Sequence, residues 1–237
     1  MSFLVRICVL LWLPLAAWAG TDCRPAVDSS RPQFTIGYGS LMEDESRRRT
    51  APNTGHAVPV IVTGFERGFI APGSPVGFST TYLGVVQKEQ SQMAAAMYQV
   101  FRVEDIKATD RRESGYCRVS VSPEKIRVLD GTAIATQGQY WIYVNDPARS
   151  ATATEQLPLV QSYIDIFLTG CQQLSERATA YEGDFAVACL ETTGGWSTHW
   201  VNDRLYPRRP FIYQPNAGWI DRLLDKHIPE FQSVRIE

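Results

Sequence analysis

The chain has 237 residues, 44% of them hydrophobic, with 23 Lys and Arg set against 25 Asp and Glu and the two signs well mixed. That balance excludes a nucleic-acid footprint and an anionic-membrane patch, both of which need a basic surplus. The length suits one domain, or one domain with a sizeable extension, whose core requires neither metal nor disulfide to form.

The chain opens with one cation, Arg6, then an apolar run over residues 7–17 and the small-x-small triplet Ala17-Trp18-Ala19. This is the pattern of a cleaved secretory signal peptide over residues 1–19, so the protein is expected to be exported, periplasmic or secreted. The run falls short of the ~20 residues a membrane span needs. Gly20-Thr21-Asp22 before Cys23 is a poor lipobox, so neither a lipid anchor nor stable membrane insertion is expected after cleavage. Cleavage leaves about 218 residues with Cys23, Cys117, Cys171 and Cys189, which allow three complete pairings. Cys171–Cys189 is the favoured bridge, since both lie in a helical stretch able to fold as a hairpin; Cys23–Cys117 then ties the mature N-terminus to the body. His56, His199 and His227 are scattered and there is no Cys-x-x-Cys, so no metal site is expected.

After a polar leader, residues 20–33, the apolar run 34–38 reads as a buried strand that ends in Gly37-Tyr38-Gly39-Ser40-Leu41. Glycines let a ligand approach the main chain there, and the turn offers backbone N–H groups as an anion or carbonyl cradle. A short exposed helix is predicted over 43–50 and a strand over 57–63, leading through Gly64-Phe65-Glu66-Arg67-Gly68-Phe69-Ile70 into a turn-rich loop, 71–77. Strands are predicted over 80–86 and 92–101, the second in spite of Met and Ala residues that favour helix. A helix over 103–112 has acidic residues in its first turn, with Glu113 at its end and Gly115 as the stop. Strands over 116–121, 125–129 and 138–144 complete a β-rich body. Beyond residue 148 the periodicity turns helical: 157–169, 178–190 and 218–227, with a Trp- and Arg-rich loop, 194–213, between the last two. The class is α+β, a body over 34–147 with a helical C-terminal extension over 148–237 packed on the same domain.

A carboxylate facing an N–H cradle is a kit for proton transfer. Glu113, in Asp110-Arg111-Arg112-Glu113-Ser114-Gly115-Tyr116, is the candidate acid/base. Tyr38, Gly39, Ser40, Leu41 and Tyr116 are candidate ligand contacts, and Arg204, within the Trp196–Arg204 segment, is a candidate carboxylate receptor on a lid. Cys117 with His199 has no support as a nucleophile pair beyond the two residue types.

The order Gly37-Tyr38-Gly39-Ser40-Leu41, then Gly64-Phe65-x-Arg67-x-Phe69, then Asp110-Arg111-Arg112-Glu113-x-Gly115-Tyr116 resembles the γ-glutamylcyclotransferase family, over about residues 34–145. The resemblance implies a mixed β-barrel with short helices, in an exported bacterial-type member. It implies conversion of a γ-glutamyl amide or peptide to 5-oxoproline and a free amine. The Tyr38–Leu41 loop would hold the γ-glutamyl group and Glu113 would act as acid/base, with no cofactor or metal. A non-catalytic small-ligand module of the same fold is the alternative; Glu113 in its place favours the enzyme.

Overall fold

The structure is a computed structural model describing residues 23–73, 79–209 and 216–237. The expected signal peptide lies outside the described residues, as do most of the 71–77 loop and the end of the 194–213 segment. In chain order come β1 (Gln33–Gly37), a 3-10 turn (Ser40–Met42), α1 (Asp44–Arg48), β2 (Val58–Pro72), β3 (Thr81–Val100), α2 (Val103–Arg112), β4 (Cys117–Ser120), β5 (Ile126–Val128) and β6 (Gln139–Val144). Then follow β7 (Leu159–Val160), α3 (Gln161–Ser175), α4 (Phe185–Glu191), β8 (Thr193–Gly194), β9 (Trp200–Asn202), α5 (Ala217–His227) and β10 (Arg235–Ile236).

The main sheet runs β4-β6-β1-β3-β2-β5, with β8 added alongside β2. It is mixed: β1 lies parallel to β6 and antiparallel to β3, and β8 is parallel to β2. The sheet curls into a half-barrel accompanied by few helices, the expected α+β class. The two segments read as separate strands over 80–86 and 92–101 are one strand, β3, and the 57–63 strand continues through Gly64 to Pro72. Two register shifts, between Thr63 and Phe65 and between Phe69 and Ala71, let this long β2–β3 ribbon bend without breaking. Gly64 supplies the positive φ of +85° at the first of them. Met93-Ala94-Ala95-Ala96-Met97 is strand although its residue types favour helix. It sits between β1 and β2 with every one of these residues buried, and a strand covered on both faces reads as a continuous apolar run.

The C-terminal extension differs from the all-helical expectation. It contributes β8 to the main sheet and builds a second, three-stranded sheet in the order β10-β9-β7. The helix expected over 178–190 begins only at Phe185, because Asp184 caps it by accepting from the Ala186 N–H at 2.8 Å and Gly183 before it takes a φ of +120°. The favoured Cys171–Cys189 bridge is also overturned: both cysteines are free buried thiols, on α3 and α4, while Cys23 and Cys117 form the disulfide. Among the described residues no helix is long and apolar enough to cross a membrane.

The core lies between the concave sheet and α3 and α4, with Ile36, Val60, Phe69, Phe167 and Phe185 fully buried in it. Fully buried Arg67 is its polar pin. The guanidinium donates to the carbonyls of Tyr38 (3.1 Å), Ala94 (2.6 Å) and Cys189 (2.7 Å) and to Thr193 Oγ1 (2.8 Å), and stacks 4.7 Å from the Phe167 ring. One side chain thus joins the end of β1, the middle of β3 and the C-terminal end of α4.

Candidate active site

β1 stops at Gly37 because the chain folds back on itself: a Cβ there would lie 3.0 Å from the Leu41 backbone. Met42 N–H closes the turn on the Gly39 carbonyl at 2.9 Å. Glu43 then caps α1, its carboxylate accepting from the Glu45 and Ser46 N–H groups. Gly39 matters for a different reason: an added Cβ would fall 2.6 Å from the Tyr163 hydroxyl and would have to displace the tip of that ring on α3. Tyr163 Oη in turn accepts from the Leu83 N–H at 3.3 Å, linking the loop's neighbour on α3 to β3.

Glu113 is the C-cap residue of α2, and its N–H bonds to the Thr109 carbonyl at 2.8 Å. The turn that follows is fastened twice. Tyr116 N–H donates to the Glu113 carbonyl at 3.0 Å, and Arg24, next to the Cys23–Cys117 disulfide, donates to the same carbonyl at 3.3 Å. Arg112 sits between acid and loop. Its guanidinium donates to Ser40 Oγ (2.9 Å), the Ser46 carbonyl (2.8 Å), Thr50 Oγ1 (3.0 Å) and Ser46 Oγ (3.2 Å), with Nε 3.3 Å from Glu113 Oε1.

These elements border a half-open cavity of about 210 Å³. Tyr38, Gly39, Ser40 and Leu41 form one wall, Arg112, Glu113 and Tyr116 another, and Tyr82, Leu83, Tyr143, Tyr163 and Arg209 complete it. The volume corresponds to roughly seven waters at ~30 Å³ each, room for one amino-acid-sized group. Glu113 keeps 17% of its side-chain surface exposed. Burial raises its carboxyl above the ordinary value, while the Arg112 and Arg209 guanidiniums pull it back. Burial also raises the hydroxyls of Tyr38, Tyr116, Tyr143 and Tyr163, so these rings line the cavity as neutral phenols. Tyr143 is oriented by donating to Asp110 Oδ1 at 2.8 Å, and Asp110 is itself paired with Arg118 at 2.9 Å.

A second depression of about 710 Å³, about as open as the first, lies among Arg31, Lys88, Glu89, Glu124 and Lys125. It is larger, yet it contains neither the loop nor a buried acid, so the smaller cavity is the candidate site.

The structure therefore gathers Tyr38, Gly39, Ser40, Leu41, Glu113 and Tyr116 around one cavity and leaves Arg204 out of it. Arg204 is held by Asp165 at 2.7 Å and Asp221 at 2.8 Å, and these carboxylates raise its already high proton affinity. The segment around it packs rather than covers. Trp196 stacks on Trp200 and lies against Phe69, and Trp200 meets Phe231. Tyr82, Tyr143, Tyr163 and Arg209 were not legible as site residues, since in sequence each is one more aromatic in a strand or helix or one more cation in a basic loop. Cys117 is spent in the disulfide, which removes it as a nucleophile. Among the described residues no three His, Cys, Asp or Glu side chains gather as a metal site.

No protein-family model and no curated protein matches this chain. Among solved structures it is similar to one described as a gamma-glutamyl cyclotransferase, at 14% identity over 65% of this chain and 89% of that one, with a TM-score of 0.49. It is similar as well to an uncharacterized protein from Homo sapiens, at 16% identity over 65% of this chain and 90% of that one, TM-score 0.49. A third is a gamma-glutamyl cyclotransferase specific to glutathione from yeast, at 14% identity over 68% of this chain and 95% of that one, TM-score 0.39.

Proposed function

We propose that the protein is a γ-glutamylcyclotransferase-type enzyme, converting a γ-glutamyl amide or peptide to 5-oxoproline and a free amine or amino acid. The observation that carries this reading is the placement of Glu113 across a small cavity from the Tyr38–Leu41 loop, with its proton affinity raised by burial. The reaction needs no nucleophile from the protein, because the substrate's own α-amine attacks its γ-carbonyl carbon. As the new C–N bond forms, Glu113 takes a proton from the attacking nitrogen. It then returns that proton to the leaving nitrogen as the old C–N bond breaks, so that one carboxyl serves both steps. The loop N–H groups of Ser40 and Leu41 are assigned to the γ-carbonyl oxygen, where negative charge develops; losing one such donor typically costs ~3 kcal/mol.

The tyrosine walls supply the remaining requirement, a bent substrate. Ring closure is rapid only when amine and carbonyl are already in contact, and a cavity this small favours the folded glutamyl chain. Because it holds little more than that group, the leaving amine is expected to extend toward solvent. The leader over residues 1–19 and the Cys23–Cys117 bond support an extracytoplasmic setting, where disulfides persist.

The test is release of 5-oxoproline from a panel of γ-glutamyl amines, dipeptides and glutathione by the mature protein. Turnover by wild type that falls roughly 10²- to 10⁴-fold in Glu113→Gln is the expected result. Equal turnover in the two proteins removes Glu113 as the acid/base. No release by wild type across the panel rejects the enzymatic reading and leaves a small-ligand-binding module.

A further inference from the structure

We propose that Tyr143 is the acceptor that positions the substrate's α-amine, with Asp110 and Arg118 holding its phenol proton away from the ligand. The inference rests on the γ-glutamyl reading above and fills a contact which that reading leaves open. The attacking amine nitrogen is tetrahedral. It bears the α-carbon, two N–H groups and the lone pair that must face the γ-carbonyl carbon. Glu113 receives one N–H. The second needs an acceptor of its own, because a nitrogen held at one point is free to turn its lone pair away from the carbon it must attack.

An unfixed phenol serves this purpose poorly, since its O–H rotates and donates as readily as it accepts. Tyr143 is fixed. Its hydroxyl lies 2.8 Å from Asp110 Oδ1, and Arg118 holds that carboxylate, Nε donating to Oδ1 at 2.9 Å and Nη2 to Oδ2 at 3.5 Å. An ion-paired carboxylate only accepts, so Tyr143 is the donor in that bond. The phenol oxygen keeps its lone pairs, and among the described residues no N–H or O–H donates to it. Tyr163 has the opposite polarity, accepting from the Leu83 N–H at 3.3 Å and keeping its own proton to give.

The surroundings of Tyr143 are built for this. It lies directly opposite Arg118 in the β4–β6 pair. The Arg118 guanidinium is stacked 4.4 Å from the Trp141 ring and donates to the Pro25 carbonyl at 3.1 Å, so it cannot swing away from Asp110 without losing both. Asp110 and Glu113 are three residues apart at the end of α2, a spacing that sets side chains next to each other. Tyr143 and Glu113 also both act on the buried Tyr38 hydroxyl, so phenol and acid border the same part of the cavity.

Calorimetric titration with L-glutamine, the simplest γ-glutamyl amide, and with glutaramate, the same molecule without its α-amine, tests the assignment. Both are titrated into Glu113→Gln, which should not turn glutamine over, and into the double variant Glu113→Gln, Tyr143→Phe. Loss of the hydroxyl should weaken glutamine roughly tenfold, the weight of one hydrogen bond, and leave glutaramate within about twofold. Retained glutaramate binding also reports an intact cavity in the variant. Equal weakening of both compounds, no weakening of glutamine, or no binding of glutamine by Glu113→Gln overturns the proposal. Turnover assays separate this from the enzymatic reading. Amine discrimination that depends on the Tyr143 hydroxyl, in a protein whose wild type releases no 5-oxoproline, rejects catalysis and keeps the amine site. Release of 5-oxoproline with kcat/KM within about twofold of wild type in Tyr143→Phe does the reverse.

Discussion

Glu113 is subject to opposing influences, and the larger one is burial, which raises the carboxyl against the pull of Arg112 and Arg209. A group whose pKa is raised in the folded state contributes stability that is complete below its unfolded value and lost as pH rises through the folded value. Glu113→Gln is therefore expected to be more stable than wild type at neutral and alkaline pH. The gain should vanish near and below the ordinary glutamate value of about 4.3. Thermal melts across pH check this, and a gain that grows toward acid would contradict it. In wild type the acidic limb of the activity profile should likewise lie above the ordinary carboxylate range. Arg67 makes the opposite kind of prediction. Arg67→Met leaves the Tyr38, Ala94 and Cys189 carbonyls without their buried donor, at a cost of about 3 kcal/mol or more read from urea unfolding midpoints. Both residues stood out in sequence only as members of short motifs. That Glu113 ends a helix was legible from the acidic first turn and Gly115. That Arg67 pins the loop was not, because its partners are backbone groups from three distant segments.

At the scale of elements, the close approach of α3 to the Ser40–Glu43 segment is decisive. A Cβ on Gly170 would fall 2.7 Å from both Glu43 N and Met42 C, and these are backbone atoms with little freedom to yield. Gly170→Ala is expected to cost about 1–3 kcal/mol through overpacking and to lower kcat/KM by shifting the loop. Gly115→Ala, where an added Cβ meets nothing within 4 Å, should leave stability within about 0.5 kcal/mol. Denaturant unfolding of the two variants gives the comparison, and equal effects would refute the packing argument. Most elements were legible from periodicity and end signals: β1, α2, β6 and α5 lie within a residue or two of the predicted bounds. The misread strands share one cause. Local pattern registers an interruption such as Gly64 but not the partner strand that bridges it, and it registers helical periodicity beyond residue 148 but not the strands that β7, β8 and β9 pair with.

For the whole molecule, the Cys23–Cys117 bond, 94 residues apart in sequence, joins the start of the described chain to the strand after the Glu113–Tyr116 turn. Alkylation of the denatured mature protein without reductant should label Cys171 and Cys189 alone, and labelling of all four cysteines would exclude the bond. The double variant Cys23→Ser, Cys117→Ser is expected to lose about 2–4 kcal/mol. It should also lose turnover at temperatures where it remains folded, since Arg24 fastens the Glu113–Tyr116 turn from the next residue. Removal of residues 148–237 should abolish folding rather than trim an appendage. It strips β8 from β2 and takes α3 and α4 off the concave face. Loss of cooperative unfolding in the truncated chain is the outcome that checks this.

By itself the sequence determined the local devices: a strand breaking into a glycine turn, a helix ending on an acid, and their order along the chain. Such devices depend on neighbours within a few residues, where backbone sterics and capping act. Tertiary structure alone decided the rest of the cavity. Tyr82, Tyr143, Tyr163 and Arg209 meet there from a strand, a second strand, a helix and a loop, while Arg204, identical in kind and five residues away, is drawn to Asp165 and Asp221. Side-chain period tells which face a residue occupies but not what stands opposite, and only the packing of distant segments supplies that partner.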